Sequence, residues 1–262
     1  MDSKVVAFSG KGGVGKSTCL IFLLKYLISE RPELKKLVID ADPDANIADL
    51  INKHIEFRDT LAGKLRDYRV KIEKNMKTIY DGEKSAIENE IFNAMMSLEG
   101  FDLIEMGRME GEGCYCLVND ILKHGIDIIA ENYAVTLIDS PAGLEHFSRK
   151  TGRRVTDLII VVDPTQMAMR TMRRIVSMTG ELSLEFKNIW ILGNRFADDK
   201  IEDYLLDEID KFEDNKKIKY LGYFENNSEI NRHNLLGKSL LKISEENEIY
   251  QKSKKLYEKI FE

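Results

Sequence analysis

Cysteine, proline and tryptophan are all scarce in this chain of 262 residues, which holds three, four and one of them respectively. So few cysteines exclude a disulfide framework and fit a reducing compartment, where a thiol pair serves metal binding or redox chemistry rather than a structural bridge. Prolines are few, and the 17 glycines are scattered or tied to motifs, so no Pro/Gly/Ser-rich linker divides the chain; no internal repeat is present either. The expectation is a single domain over residues 1–262, at the upper end of size for one α/β core. Long apolar runs are also missing. The longest, such as Leu158 to Val162, fall far short of a membrane span, and the N-terminus enters a strand without a secretory leader, so a cytoplasmic location is expected. An excess of basic residues is lacking too. A net charge of −6 argues against nonspecific nucleic-acid binding, and the clusters Arg149 to Arg154 and Arg170 to Arg174 read as solvated helix faces.

What is present is an alternation of short β-branched runs and helix-length segments. The runs fall at Val5 to Phe8, Leu37 to Ile39, Asp102 to Met106, Ala134 to Ile138, Leu158 to Val162, Ile189 to Leu192 and Lys219 to Tyr223. They are continuously apolar rather than alternating, which predicts strands covered on both faces. The fold class is therefore α/β, a mostly parallel sheet of about seven or eight strands with helices on both faces. Ligands belong at the carboxyl ends of such strands. The charged stretch from Phe57 to Gly100 has a helical pattern, with Ile87, Ile91, Ala94, Met95 and Leu98 as a core stripe. The C-terminal segment from Glu245 to Glu262 places Ile249, Leu256 and Ile260 on one stripe but carries glutamates in place of a cationic face, so it is expected to dock on its own domain.

The run Gly10-Lys11-Gly12-Gly13-Val14-Gly15-Lys16-Ser17-Thr18 satisfies G-x-x-x-x-G-K-[ST] between the first strand and a helix carrying Leu20, Ile21, Leu23, Leu24 and Leu27. Its glycines let consecutive backbone N–H groups turn toward a phosphate, and the helix start adds positive dipole. Lys16 is assigned to the β- and γ-phosphates and the Ser17 hydroxyl to Mg²⁺. Lys11 lies inside the loop and is badly placed to serve its own nucleotide; it points to a neighbour's, hence to a dimer. Asp40-Ala41-Asp42 ends the second strand, where residues two apart point the same way and both carboxylates can face phosphate and metal, while Asp44 suits a helix cap. The run ending at Ile138 continues as Asp139-Ser140-Pro141-Ala142-Gly143, and Asn194-Arg195 ends a later strand with a carboxamide suited to an adenine edge. Cys19 reads as a buried, inert thiol. Cys114 and Cys116 supply only two thiolates, whereas a closed zinc site takes about four ligands, so two copies of the loop meeting on a two-fold axis are the economical solution.

The loop G-K-G-G-V-G-K-S-T resembles the deviant Walker A motif of the MinD, ParA and nitrogenase iron-protein group. The resemblance implies that Lys11 crosses a dimer to the partner's phosphates, that Asp40 lies in the outer shell of Mg²⁺, that Asp42 orients the attacking water, that Asp139 holds Mg²⁺ through water and that Asn194 reads ATP rather than GTP. Lys11, Lys16 and Asp42 then form the catalytic set. The stretch Met106 to Asn119, with Ala142 to His146 and Val162 to Thr165, is similar to CooC-type ATPases that insert nickel into carbon monoxide dehydrogenase, and to the related ATPase of acetyl-CoA synthase maturation. That resemblance implies a homodimeric metallochaperone using ATP and Mg²⁺, binding Zn²⁺ or Ni²⁺ between subunits, with one of those enzymes as client and no nucleic acid or membrane partner. The alternatives are a MinD- or ParA-like positioning switch at membrane or DNA, and electron transfer through a shared iron–sulfur cluster. One departure stands out: the family often has proline after the last strand, where this chain reads Gly222-Tyr223-Phe224-Glu225-Asn226.

Overall fold

The computed structural model describes residues 3–42, 44–66, 89–107, 131–141, 155–181, 186–212 and 216–262. Its strands are β1 (Lys4–Gly10), β2 (Lys36–Asp40), β3 (Met95–Leu98), β4 (Phe101–Glu105), β5 (Val135–Asp139), β6 (Asp157–Val162), β7 (Asn188–Phe196) and β8 (Ile218–Glu225). Among the described residues they form one eight-stranded sheet in the order β3-β4-β2-β5-β1-β6-β7-β8. Seven are parallel and β3 alone runs antiparallel, to β4. Every residue of β2, β5 and β6 is buried, as continuous apolar runs require when helices cover both faces.

The described helices are α1 (Lys16–Glu30), α2 (Asn46–Leu50), α3 (Gln166–Glu181), α4 (Asp199–Asp210), α5 (Ser228–Leu235) and α6 (Glu248–Phe261), with further helical residues at 61–66 and 89–93. From β1 the chain moves to one side through β2 and β4, returns with β5, and places β6 on the other flank of β1. The carboxyl end of β1 therefore sits where the winding reverses, the position at which open α/β sheets bind ligands.

One expectation fails in this part of the chain. Met95 and Leu98 do not continue a helical stripe; the helix closes near Ala94, and Met95–Leu98 is an edge strand paired from Met95↔Ile104 to Leu98↔Phe101. The reason is local. Gly100 takes a left-handed φ of +87° and closes a tight turn back into β4, and Ser97 donates to Asp102 across the hairpin at 2.6 Å. Ile87 lies outside the described residues.

The C-terminal helix docks where its stripe predicts. Ile249, Leu256 and Ile260 are buried together with Tyr250, Ser253 and Tyr257. Edge-to-face ring contacts run from Phe22 on α1 through Phe224 on β8 to Tyr257 on α6, at centroid distances of 6.3 and 6.0 Å. Polar ties flank them: Lys25 pairs with Glu245 at 2.6 Å, and the Ser29 and Tyr250 hydroxyls lie 2.9 Å apart. The Asn247 side-chain oxygen Oδ1 caps α6 by accepting from the N–H groups of Ile249 and Tyr250, and its side-chain nitrogen donates to Glu229 at 2.6 Å. Replacing Asn247 by alanine is expected to cost about 1–2 kcal/mol of unfolding free energy, read from urea denaturation; an unchanged midpoint would show that the cap does not hold this helix.

Candidate nucleotide site

The site is assembled at the carboxyl edge by β1, β2 and β5, whose register sets Phe8 beside Asp139 and Asp139 beside Asp40. Gly10, Gly13 and Gly15 have φ of +144°, +82° and +95°, conformations that side-chain-bearing residues rarely adopt. Gly15 is constrained twice, because a Cβ there would lie 2.4 Å from the Asn194 amide nitrogen. Helix α1 starts at Lys16 with no side chain capping it and no acidic residue in its first turn, so its N-terminal donors are left for an anion. Lys16 is buried with only 6% exposure, and no carboxylate of the described residues lies within ion-pair distance of it. Lys11 is half-buried on the crest of the loop and is equally without an ion pair among the described residues.

The Ser17 hydroxyl donates to Asp139 Oδ2 at 2.5 Å. Asp139 is fully buried, and among the described residues its other oxygen has no partner; neither has the neighbouring Ser140 hydroxyl. Burial pushes the Asp139 carboxyl up to about 6, against the Ser17 hydrogen bond and the Lys16 charge, which hold it down. Asp40 is pushed further, to about 8, by burial and then by the field of Asp139, although the N–H groups of Ile47 and Asp42 donate to it at 2.9 and 3.2 Å.

Those two bonds correct the reading of this loop. The first turn of α2 is held by Asp40, not by Asp44, whose N–H instead donates to Asp42 at 3.1 Å. Strand geometry ends at Asp40: the chain turns on the bond from Ala45 N–H to the Asp42 carbonyl, so Asp40 is buried while Asp42 is half-exposed. Sequence reading passed over Glu105, the residue that ends β4 in register with Asp40. It is buried with Oε2 unpartnered among the described residues, and burial pushes its carboxyl up to about 7. A glutamate closing an apolar strand at the ligand edge was the available signal.

Asn194 and Arg195 approach the loop from behind. The Asn194 amide donates to the Val14 carbonyl at 2.7 Å and the Arg195 guanidinium to the Gly13 carbonyl at 3.0 Å. The cause is an irregularity in β7: Asn194 pairs with Phe224 and Phe196 with Glu225, leaving Arg195 unpaired at a left-handed φ of +61°. Such a bulge re-aims a side chain, here back over the glycine loop. Next to it opens a recess lined by Thr18, Phe22, Asn194, Arg195, Glu225 and Asn231, among others. The last strand does not end at Tyr223: β8 runs on through Phe224 and Glu225, and the recess is walled by Glu225, Asn226, Asn227 and α5.

Hydroxyl and carboxylate oxygens suit a hard cation such as Mg²⁺, and the unpartnered oxygen of buried Asp139 beside Ser17 fits that group. Cys114, Cys116 and Gly143 lie outside the described residues. Among the described residues, no three His, Cys, Asp or Glu side chains gather as a metal site, and no helix is long and apolar enough to cross a membrane. Cys19 is buried as expected, its thiol pushed up to about 12 by desolvation.

Sheet order, glycine loop and carboxylates together define a P-loop NTPase fold of the ParA and MinD kind. Residues 3–190 match the AAA domain family, and the chain belongs to it. It is 33% identical over 257 residues to an uncharacterized ATP-binding protein of Methanocaldococcus jannaschii, covering 98% of each chain. It is 30% identical over 218 residues to the carbon monoxide dehydrogenase accessory protein CooC of Rhodospirillum rubrum, covering 79% of this chain and 80% of that one. Among solved structures, a ParA family ATPase from Chlorobium tepidum superposes with a TM-score of 0.68 at 18% identity, over 97% of this chain and 98% of that one. A chain of the MinC:MinD cell division protein complex of Aquifex aeolicus gives 0.67 at 16%, over 99% and 96%.

Because burial raises Asp40, the folded form holds its proton more tightly than the unfolded chain does, and this contribution to stability is lost as pH rises from about 4 to about 8. In EDTA without nucleotide, Asp40→Asn is expected to shrink the drop in melting temperature between pH 5 and pH 8. An undiminished drop would remove Asp40 as its source.

Proposed function

We propose that this chain is an ATP-hydrolysing, dimeric metallochaperone of the CooC type. The supporting observation is a coincidence of edges. The strand ends that place Lys16, Ser17, Asp40 and Asp139 around one phosphate loop belong to the same edge from which β4 leaves toward the Cys-x-Cys pair. Met106 N–H donates to the Asp40 carbonyl at 2.9 Å, and the Met106 carbonyl accepts from Ala62 at the same distance. Gly107 follows at φ +74°, where a Cβ would lie 2.3 Å from Thr60 Oγ1. Cys114 stands seven positions further on. The nucleotide site and the start of the segment that carries the cysteines are thus held at adjacent strand ends, which supports coupling between them. The likeness to CooC over most of the chain supports the same reading.

In this reading the loop amides and Lys16 bind the triphosphate of ATP, and Asn194 with Arg195 keeps the loop in shape. Ser17 and Asp139 hold Mg²⁺, with Asp40 behind them; bound Mg²⁺ supplies neutralisation of charge on the transferring phosphoryl group. Asp42, half-exposed beyond the strand end, orients the attacking water. Lys11 of each copy serves the other copy's phosphates, which makes ATP the glue of the dimer. The thiolates of Cys114 and Cys116 from both copies enclose Zn²⁺ or Ni²⁺ as cargo for carbon monoxide dehydrogenase or acetyl-CoA synthase. The second reading, a MinD- or ParA-like switch, has the fold likeness in its favour. Against its membrane form stands α6, whose apolar stripe is already spent on α1 and β8.

Lys16→Ala should weaken ATP binding about ten- to a hundredfold in calorimetric titration, since it removes a charge-assisted contact. Lys11→Ala should bind ATP normally yet remain monomeric in light scattering with a nonhydrolysable analogue. Cys114→Ser with Cys116→Ser should lose the metal, about one ion per two chains in the parent, while keeping ATP binding. Metal content that survives the double substitution sinks the metallochaperone reading, and ATP-dependent pelleting with liposomes or DNA would favour the switch.

A further inference from the structure

The C-terminal helix does more than close the core. Tyr257, completely buried, donates its hydroxyl to the Cys19 carbonyl at 2.7 Å, and Cys19 lies in the first turn of α1, directly behind the phosphate loop. Five residues earlier, Lys252 Nζ meets Glu225 Oε1 at 2.6 Å and lies 3.6 Å over the Tyr223 ring. Glu225 lines the recess beside the loop, and Tyr223 stacks at 5.4 Å on Phe196, the residue after Arg195. At the start of the helix Ile249 lines the same recess, while Asn247 holds Glu229 of α5, the recess's outer wall. One helix thus touches the recess and the phosphate helix at once.

We propose that α6 forms part of the nucleotide site, with Lys252 and Tyr257 as positioning residues: Lys252 sets the wall that receives the base, and Tyr257 sets the helix that receives the phosphates. The proposal rests on the nucleotide-binding half of the function above and is independent of the metal. A tethered Glu225 presents a fixed carboxylate oxygen to the recess, whereas a free one swings with solvent. A fixed first turn of α1 keeps its N–H groups aimed at the loop. The two contacts act on different parts of the ligand, and that makes them separable. A helix that only stabilised the fold would change the melting temperature of the free chain and neither affinity.

The test compares Mg-ATP analogue with inorganic tripolyphosphate plus Mg²⁺, each titrated into the full chain while its melting temperature is followed. Lys252→Met should lower analogue affinity by up to about fivefold, in keeping with a half-exposed ion pair, leave tripolyphosphate unchanged, and be restored by Lys252→Arg. Tyr257→Phe should weaken both ligands by a common factor, about three- to tenfold. Lys252→Met that weakens both equally, or neither, overturns the proposal, as does Tyr257→Phe that alters neither. Should Tyr257→Phe fail to fold, the two Lys252 variants decide alone. A parent chain that binds neither probe refutes the nucleotide reading itself, a result distinct from any failure of the variants.

Discussion

A glycine loop can point its amides inward only if its carbonyls, which then point outward, find donors. Here the Gly13 and Val14 carbonyls are met by Arg195 and Asn194, two consecutive residues of β7, two strands away from β1 in the sheet. The Val14–Asn194 bond is buried, and leaving that carbonyl without a donor would cost about 1–3 kcal/mol, enough to reshape a segment this rich in glycine; the Gly13–Arg195 bond is exposed and worth less. The rest of the site inherits its geometry from that match. The bulge that frees Arg195 from the β7–β8 ladder also brings Asn194 into contact with Gly15, so the loop, the start of α1 and the edge of the recess are set by one irregularity.

The acidic side of the site works on an opposite principle, incomplete satisfaction. Glu105, Asp40 and Asp139 end three adjacent parallel strands, all buried, and burial raises each of them above the ordinary carboxylate range. Asp40 is answered by backbone N–H groups, whereas Asp139 and Glu105 each keep an oxygen without a partner among the described residues. A fold retains buried, half-satisfied carboxylates at a cost, and such cost concentrates where a ligand is to be received. The Ser17–Asp139 bond stands where a hard cation fits, and Glu105 stands two residues before Gly107, at the departure of the cysteine-bearing segment. The nucleotide site and the point where the segment leading to Cys114 departs therefore lie on one row of strand ends.

The far side of α1 is closed by α6 through aromatic rings and a few polar ties. This explains why a stripe of Ile249, Leu256 and Ile260 needs no lipid or partner: α1 and β8 already cover it. It also gives the departure from the proline-containing pattern after the last strand a physical meaning. The chain continues β8 through Glu225 and walls the recess with Asn227 and α5, which Asn247 pins from the helix above.

Much was legible before any coordinates. Continuous apolar runs specify strands buried on both faces, the G-x-x-x-x-G-K-S spacing specifies a loop at a strand–helix junction, and the stripe in the last helix specifies its docked face, because each depends on neighbours along the chain. The edge strand at Met95 was misread since four residues with helix-forming neighbours carry no period of their own; Gly100 and pairing with β4 decided it. Asp40 rather than Asp44 at α2, the unpartnered oxygen of Glu105, and Asn194 with Arg195 as supports of the loop were equally invisible. Asn194 and Arg195 meet the loop across about 180 residues, and Asp40 and Glu105 are buried side by side by strand order and register, so which group meets which follows from the packing. Local spacing names the chemistry a segment can perform; packing alone determines which distant groups hold it in place.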